Sequence, residues 1–242
     1  MANSYFQFKE FIVHQDKCAM KVTTDACLFG AWVRKEVGGQ KSEVNAVLDI
    51  GSGTGLLALM LAQENNFLVD TIEIDKDAFE QASQNIDASP WPDRVKAIYA
   101  DAKEFGFTQQ YDVIISNPPF YEKELKGDDS KKNLAHHNEG LLLPELMNII
   151  KKNLRPGGCF FLLLPYKRSE EMKKLLLQNE MMIQELVFVR QTTGHDFFRI
   201  MIEGKLNTGE PVETRISEIA IKNGDEYTQN FKALLKDYYL HL

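Results

Sequence analysis

The feature of the sequence that most constrains its fold is a short apolar segment that runs directly into closely spaced glycines. Residues 46–57 read AVLDIGSGTGLL, with Gly51, Gly53 and Gly55 at alternate positions and Asp49 two residues before the first of them. Glycine permits positive φ angles and a close approach of the backbone to a ligand. A helix that begins after such a loop presents free amide N–H groups to a carboxylate or a phosphate. The segment therefore predicts a strand, a ligand-binding turn and a helix.

The rest of the chain alternates between strand and helix patterns. Short apolar runs predict seven strands, at residues 46–50, 69–74, 95–100, 111–116, 159–164, 183–190 and 197–204. Helical spacing predicts helices at residues 56–63, 77–89, 141–154 and 168–178. This alternation implies an α/β fold with a mostly parallel sheet, helices on both faces and an antiparallel C-terminal strand pair. Because ligands bind such sheets at the carboxyl ends of the strands, the loops after residues 50, 74, 100 and 116 are expected to carry the chemistry.

Composition narrows the class of protein further. The chain has 242 residues, 44% of them hydrophobic, and a formal charge of −7. That charge argues against a non-specific nucleic-acid binder, which is usually basic, but it leaves room for RNA binding through a local patch. No apolar run approaches the roughly 18 residues of a membrane span, and no signal-peptide pattern is present, so a cytoplasmic protein is expected. Cys18, Cys27 and Cys159 form no C-x-x-C pair, which predicts reduced thiols and no metal site.

The fourth predicted strand ends in Asn117-Pro118-Pro119-Phe120. Pro118 keeps Asn117 extended, and Pro119 restricts Pro118 in the same way, so the loop is stiff. An adenine, cytosine or amide NH₂ is a poor nucleophile because its lone pair is delocalised. Two oxygens that accept both of its N–H groups favour a pyramidal and more reactive nitrogen, and the Asn117 side chain and the Pro118 carbonyl can supply them. Phe120, with Tyr121 as a second candidate, can stack on the planar group.

These two motifs resemble those of a known superfamily. The glycine loop resembles motif I of the Rossmann-like class I S-adenosylmethionine-dependent methyltransferases, and NPPF resembles motif IV of their amino-methylating members. The resemblance implies S-adenosylmethionine as cofactor and in-line transfer of its sulfonium methyl group without a metal. It also implies that Asp49 and the three glycines bind the methionine part of the cofactor. Glu73 is expected to accept from the ribose hydroxyls, with Asp75 as the alternative, and Asp101 either accepts from the adenine amine or caps a helix.

Segments outside the core resemble one family of tRNA enzymes. The matching stretches are FQFKEFIVHQDKCAMKVTTDACLFGAWV at residues 6–33, QAxxN and SPW within 81–91, and DYYL at 237–240. They are similar to the bacterial tRNA adenine-N6-methyltransferases that modify adenosine 37 of a valine tRNA. The resemblance implies a tRNA substrate, with no membrane and no obligate protein partner in evidence. An alternative is a glutamine-N5 methyltransferase that acts on a translation factor, and another is a non-catalytic cofactor- or RNA-binding scaffold.

The resemblance also divides a single methyltransferase domain into three parts. They are a segment over the cofactor and substrate (1–45), a catalytic core (46–204) and a C-terminal strand and helix (205–242). Within the first part, Thr24 and Asp25 are expected near the methionine end of the cofactor, with Lys21 closing the pocket. The same stretch equally predicts a helix capped by Thr24 or Asp25, with its apolar side chains packed inward.

Several polar residues are candidates for contact with RNA. His136 stands where the family commonly has arginine, and His137 is retained, although an exposed loop explains both equally well. The charged segment 121–132 predicts either a solvated loop or a lid that orders on RNA. Lys167 and Arg168 follow the fifth predicted strand, where they can meet phosphate.

Overall fold

The computed structural model describes residues 3–39, 44–63, 67–118, 141–209 and 213–242. The helices are α1 (Thr24–Gly38), α2 (Leu56–Ala62), α3 (Lys76–Asp87), α4 (Leu143–Asn153), α5 (Ser169–Gln178) and α6 (Gln229–Leu235). The strands are β1 (Tyr5–Gln7), β2 (Ile12–His14), β3 (Ala46–Ile50), β4 (Leu68–Glu73), β5 (Val95–Tyr99), β6 (Tyr111–Ser116), β7 (Leu154–Pro165), β8 (Met181–Thr192), β9 (Phe197–Leu206), β10 (Arg215–Asn223) and β11 (Glu226–Tyr227). A 3-10 turn, Tyr166–Arg168, connects β7 to α5.

One sheet organises the molecule, in the strand order β11-β10-β8-β9-β7-β6-β3-β4-β5. The seven predicted strands are β3 to β9, and the mostly parallel arrangement with an antiparallel β8–β9 pair is confirmed. β10 adds to β8 in parallel, and β11 pairs with β10, so the sheet extends two strands beyond those seven. β1 and β2 form a separate two-stranded sheet.

Two apolar cores lie on opposite faces of the sheet. Val47 and Val113 belong to the core that α1, α2 and α6 cover. Their chain neighbours Leu48 and Ile114 belong to the core that α4 and α5 cover, because successive strand side chains point to opposite faces. Burial of both faces explains why the central strands are uninterrupted apolar runs. None of the helices in the described residues is long and apolar enough to cross a membrane.

Helix α1 packs tightly against α2. Trp32 is buried in α1, as the helical interpretation of this segment predicted. A Cβ atom at Gly30 would lie 2.7 Å from the Met60 sulfur, so a larger residue there would require the Met60 side chain to shift. The helix is capped by Thr23, whose Oγ1 accepts from the amide of Ala26 at 3.4 Å. The prediction that Thr24 or Asp25 provides the cap is therefore wrong by one residue.

A group of three glutamates surrounds one arginine between α1 and strands β8 to β10. The Arg215 guanidinium lies 3.2 Å from Glu36, 2.6 Å from Glu185 and 3.2 Å from Glu203. Arg215 therefore contacts all three carboxylates, and the Lys35 ammonium lies 3.3 Å from Glu36 as a second cation. Burial, followed by the charge of Glu36, raises the pKa of Glu203 to about 7.

This glutamate cluster should make stability depend on pH. Unfolded Glu203 loses its proton near pH 4.5 but the folded protein holds it to about pH 7, so the free energy of unfolding should fall as the pH rises through that window. Glu203→Gln removes this contribution. Between pH 5 and 8 the free energy of unfolding of the wild-type protein should fall by about 1–3 kcal/mol more than that of the variant. Urea denaturation at each pH measures both values. Glu180→Gln, on an exposed pair with Lys151, is the control, and equal pH slopes for wild type and Glu203→Gln would contradict the assignment.

Candidate active site

A cavity of about 290 Å³ opens at the carboxyl ends of β3, β4, β5 and β6. Its walls are the loops after these four strands together with the segment that precedes α1. This is the edge at which the sequence predicted a ligand. The predicted site residues that line it are Gly51, Gly53, Glu73, Asp75, Asp101, Asn117 and Pro118.

The glycine loop after β3 takes backbone conformations that favour glycine. Gly51, Gly53 and Gly55 have φ angles of +83°, +51° and +81°. The Gly51 amide donates to the carbonyl of Ile72 at 2.9 Å, which attaches the loop to β4. Gly55 precedes α2 and packs against Ala82 of α3, 3.5 Å from the position of a Cβ. Gly51 and Gly53 therefore form the wall of the cavity, whereas Gly55 allows the helices behind it to approach.

Glu73, at the end of β4, is bound to the glycine loop. Its Oε2 accepts from the Gly53 amide at 2.9 Å, and its Oε1 accepts from the amides of Ile74 and Asp75 at 3.0 and 2.9 Å. A carboxylate offers about four acceptor positions, so one remains at Oε2 for a ligand hydroxyl. Asp75 caps α3 by accepting from the Ala78 amide at 2.8 Å. Both carboxylates line the cavity, and the expected contact of Glu73 or Asp75 with a ribose stays a prediction.

Asp49 lies beneath the cavity and does not line it in the described part of the chain. It is fully buried, and its Oδ2 accepts from the Thr71 hydroxyl at 3.1 Å. Its Oδ1 has no hydrogen-bond partner among the described residues. Burial raises the pKa of Asp49 to about 8. The structure thus places the Asp49 side chain between β3 and β4, where it is bound to Thr71.

Asp101 lies at the cavity, and its expected contact with the adenine amine stays a prediction. It lines the cavity, and its Oδ1 accepts from the Lys103 amide at 2.9 Å. Asp101 therefore caps the turn that follows β5, whereas the sequence analysis predicted that it could cap a helix. Its Oδ2 lies 3.9 Å from the Lys103 ammonium.

Two side chains of α3 hold the N-terminal segment against the glycine loop. The Asn85 amide nitrogen donates to the carbonyls of His14 and Thr54, both at 2.8 Å, and its Oδ1 accepts from the His14 amide at 2.9 Å. Gln81 Oε1 accepts from the Lys17 amide at 3.2 Å. The sequence analysis identified Gln81 and Asn85 only as positions that match the family. Their spacing of four residues places two polar side chains on one helix face. That spacing was the signal in the sequence that could have indicated their shared role.

The segment before α1 contributes Lys21 and Thr23 to the cavity wall. Lys21 donates to the carbonyls of Gln15 and, at 3.1 Å, Cys18. Thr24 and Asp25 are not among the described residues that line the cavity. Because α1 begins at Thr24, these side chains turn away: Asp25 pairs with Arg199 at 2.7 Å, and Thr24 hydrogen-bonds to Tyr239. The expected proximity of Thr24 and Asp25 to the cofactor therefore finds no support in the lining of the cavity.

Loss of Asn85 should loosen the cavity wall. Asn85→Ala leaves the buried carbonyl of Thr54 and the part-buried carbonyl and amide of His14 without their partner, which should lower the free energy of unfolding by about 2–4 kcal/mol. Urea denaturation measures this change. The matched control is Asn153→Ala, because Asn153 makes a single bond to the carbonyl of Ile149 and its loss should cost less. Equal costs for the two variants would contradict the bridging role.

The end of β6 presents the first half of the NPPF sequence to the cavity. The Ser116 hydroxyl donates to the Ile50 carbonyl at 2.7 Å, which fixes the end of β6 against β3. Asn117 and Pro118 follow and line the cavity. The Asn117 Oδ1 is buried and has no hydrogen-bond partner among the described residues. An unsatisfied buried acceptor costs about 1–3 kcal/mol, so an arriving N–H donor would be stabilised there.

Five predicted site residues lie outside the described part of the chain. They are Pro119, Phe120, Tyr121, His136 and His137. The charged segment 121–132 lies outside it as well. Their proposed contacts with the target base and with RNA remain predictions.

Lys167 and Arg168 lie in the 3-10 turn that follows β7. Because β7 is parallel to β6, this turn is at the same edge of the sheet as Asn117. Arg168 makes two bonds of 2.8 Å to the carboxylate of Glu171. These bonds use Nε and Nη2, so Nη1 can donate to a phosphate while Arg168 keeps its partner Glu171.

The fold and the cavity together define a class I methyltransferase. The family model described as "Methyltransferase small domain" matches residues 39–185. Two solved structures share the fold: a predicted O-methyltransferase from Agrobacterium tumefaciens (TM-score 0.63, 14% identity, 88% of this chain and 95% of that one) and the glycopeptide N-methyltransferase MtfA in complex with S-adenosylmethionine (TM-score 0.54, 11% identity, 73% and 94%).

Full-length relatives specify the family within this class. The tRNA1(Val) (adenine(37)-N6)-methyltransferase of Dyadobacter fermentans is 37% identical over 98% of each chain. The enzyme of the same name from Pseudoalteromonas translucida is 38% identical over 99% of this chain and 100% of its own. The chain belongs to the tRNA1(Val) (adenine(37)-N6)-methyltransferase family. The family predicted from the sequence is therefore confirmed. The comparisons favour it over a glutamine-N5 methyltransferase and over a non-catalytic scaffold.

Proposed function

We propose that this chain transfers a methyl group from S-adenosylmethionine to the exocyclic N6 of adenosine 37 in a valine tRNA. The family membership supports the reaction and the substrate. The observation that carries the residue roles is the buried Asn117 Oδ1, which lines the cavity without a partner among the described residues. The substrate places the enzyme in the cytoplasm, and residues 1–242 act as one methyltransferase domain.

The residues around the cavity fit the cofactor. Gly51 and Gly53 let the backbone approach the methionine part, Glu73 has an acceptor position free for the ribose, and Asp101 lies where an adenine amine can donate. When bound, S-adenosylmethionine supplies a methyl group activated by its sulfonium sulfur. The N-terminal segment, held by Asn85, closes one side of the cavity.

The residues at the end of β6 prepare the nucleophile. The Asn117 Oδ1 and the Pro118 carbonyl accept the two N–H groups of the adenine amine, which favours the pyramidal nitrogen that attack requires. The two consecutive prolines restrict the backbone of Asn117 and Pro118, so little reorganisation of these acceptors is needed in the transition state. Neither oxygen is a base at neutral pH, so their role is to position and polarise the amine. The nitrogen forms its bond to the methyl carbon as the bond from carbon to the sulfonium sulfur breaks, and the proton that the methylated nitrogen then loses passes to water. Phe120 stacks on the adenine once the base has left the anticodon loop.

Methyl transfer to defined tRNAs tests the proposal. The purified protein is incubated with methyl-labelled S-adenosylmethionine and an unmodified valine tRNA, and with the same tRNA carrying guanosine at position 37. Mass spectrometry is expected to find N6-methyladenosine in the first tRNA and no label in the second. A bacterial release factor serves as the protein acceptor. Label in the protein, or in neither tRNA, would overturn the proposed function.

A further inference from the structure

Three aromatic rings and one arginine form a second surface at the carboxyl edge of the sheet. Tyr166 lies 5.8 Å from Phe188 and 5.4 Å from Phe197, ring centre to ring centre, and the two phenylalanines are 4.9 Å apart. The Arg190 guanidinium sits 3.7 Å above the centre of the Phe197 ring. We call these four residues the aromatic platform. None of them lines the cavity within the described part of the chain.

Strand register places the aromatic platform beside the methyl-transfer site. Ser116 of β6 pairs with Leu162 of β7, so Asn117 is level with the last residues of β7, shortly before Tyr166. Arg190 and Phe197 face each other across β8 and β9. With strands about 4.8 Å apart and about 3.3 Å per residue, the platform begins about 10 Å from Asn117. A nucleotide next to one held at Asn117 can reach that distance.

The aromatic platform differs from the apolar cores in its exposure and its polar support. Tyr166 is 39% exposed, and Phe188 and Phe197 are only half-buried. Arg190 is held in place, since its Nη1 donates to the carbonyl of His195 at 2.7 Å. A guanidinium fixed over an aromatic face, with a tyrosine left partly in water, is the arrangement that proteins use to stack unpaired bases.

We propose that the aromatic platform stacks an unpaired base that flanks the target adenosine in the substrate RNA. The proposal rests on the proposed function and names the recognition surface for it. Single-stranded loops are recognised by stacking of splayed bases on aromatic rings and guanidinium planes. Lys167 and Arg168 adjoin Tyr166 and supply positive charge for the backbone. Two acids lie nearby, Glu171 on Arg168 and Glu218 at 3.6 Å from Arg190, and each is paired with its arginine.

Fluorescence of a flanking base provides the test. A full-length valine tRNA is prepared with 2-aminopurine at position 36 or at position 38. Wild-type protein is expected to change the fluorescence of one of these probes because stacking quenches 2-aminopurine. Tyr166→Ala should lose that change and raise the KM for tRNA by about 5- to 100-fold, with kcat much less affected. Tyr166→Phe, which keeps the ring, should restore both.

The control is Leu177→Ala, which removes an exposed side chain (80%) from the last turn of α5, away from the carboxyl edge of the sheet. It should leave the tRNA KM unchanged. Affinity for S-adenosylmethionine, measured by calorimetry, should be the same in all variants, which separates a lost contact from a lost fold. If Tyr166→Ala quenches the probe and methylates tRNA as the wild type does, the platform is not a base-stacking site, although the proposed function would stand. If wild-type protein fails to methylate the tRNA, the proposed function is wrong, and the proposal for the aromatic platform is wrong with it.

Discussion

Asn117→Ala is expected to lower kcat for tRNA methylation by about 100- to 1,000-fold, the scale of removing one preorganised partner of a reacting group. The side-chain oxygen lost in this variant is the buried acceptor that has no partner among the described residues. Affinity for S-adenosylmethionine should stay within about twofold, because the cofactor is assigned to the glycine loop, Glu73 and Asp101. Single-turnover methylation and calorimetry measure the two effects separately.

Asn117→Asp is the matched variant for this prediction. It keeps an oxygen at the same position and should retain more activity than Asn117→Ala. If Asn117→Ala methylates tRNA at the wild-type rate, the acceptor role is wrong. If the alanine and aspartate variants lose activity equally, the amide group is needed for something other than accepting a hydrogen bond.

Gly53→Val is expected to weaken binding of S-adenosylmethionine by at least about 100-fold, for two reasons. Gly53 has a φ angle of +51°, which costs a β-branched residue about 1–2 kcal/mol. A Cβ at Gly53 meets no described protein atom within 4 Å and the residue lines the cavity, so the new side chain occupies space that the cofactor needs. Isothermal calorimetry with the cofactor measures the loss.

Gly224→Val separates backbone strain from obstruction of the cavity. Gly224 has a φ angle of +61° and equally open surroundings, but it lies in the turn between β10 and β11. This variant should lose stability to a similar degree and bind the cofactor normally. Normal cofactor affinity in Gly53→Val would contradict the assignment of the loop.

The sequence predicted the central sheet well because the signals for its strands are local. Each of the strands β3 to β7 is a short apolar run, and turn residues or an amphipathic helix follow it, so alternation alone gives the parallel arrangement. The site at the carboxyl edge follows from topology, and Gly51, Glu73 and Asn117 were found as residues that end such strands. Positions that depend on side-chain direction were harder to predict. Asp49 precedes the glycine loop in sequence, but its side chain points into the protein between β3 and β4.

Long-range contacts explain the remaining differences. The ion pair of Asp25 with Arg199 joins residues 174 positions apart, and no local pattern indicates it. The same holds for Asn85, whose partners His14 and Thr54 lie on two other segments. The aromatic platform forms only when the turn after β7 meets the β8–β9 pair, so its residues are unremarkable in the sequence. Resemblance to a family identified Asn85 as a matching position but gave no physical role for it.

The central claim is that two protein oxygens accept both hydrogens of the adenine amine in line with the methyl donor. The most direct measurement is a crystal structure of the protein with S-adenosylhomocysteine and an unmodified valine tRNA. We expect adenosine 37 to be flipped into the cavity, with its N6 within about 3 Å of both the Asn117 Oδ1 and the Pro118 carbonyl oxygen. An ordered complex in which the Asn117 side chain points away from N6, or in which N6 lies on the far side of the cofactor sulfur, would contradict the account.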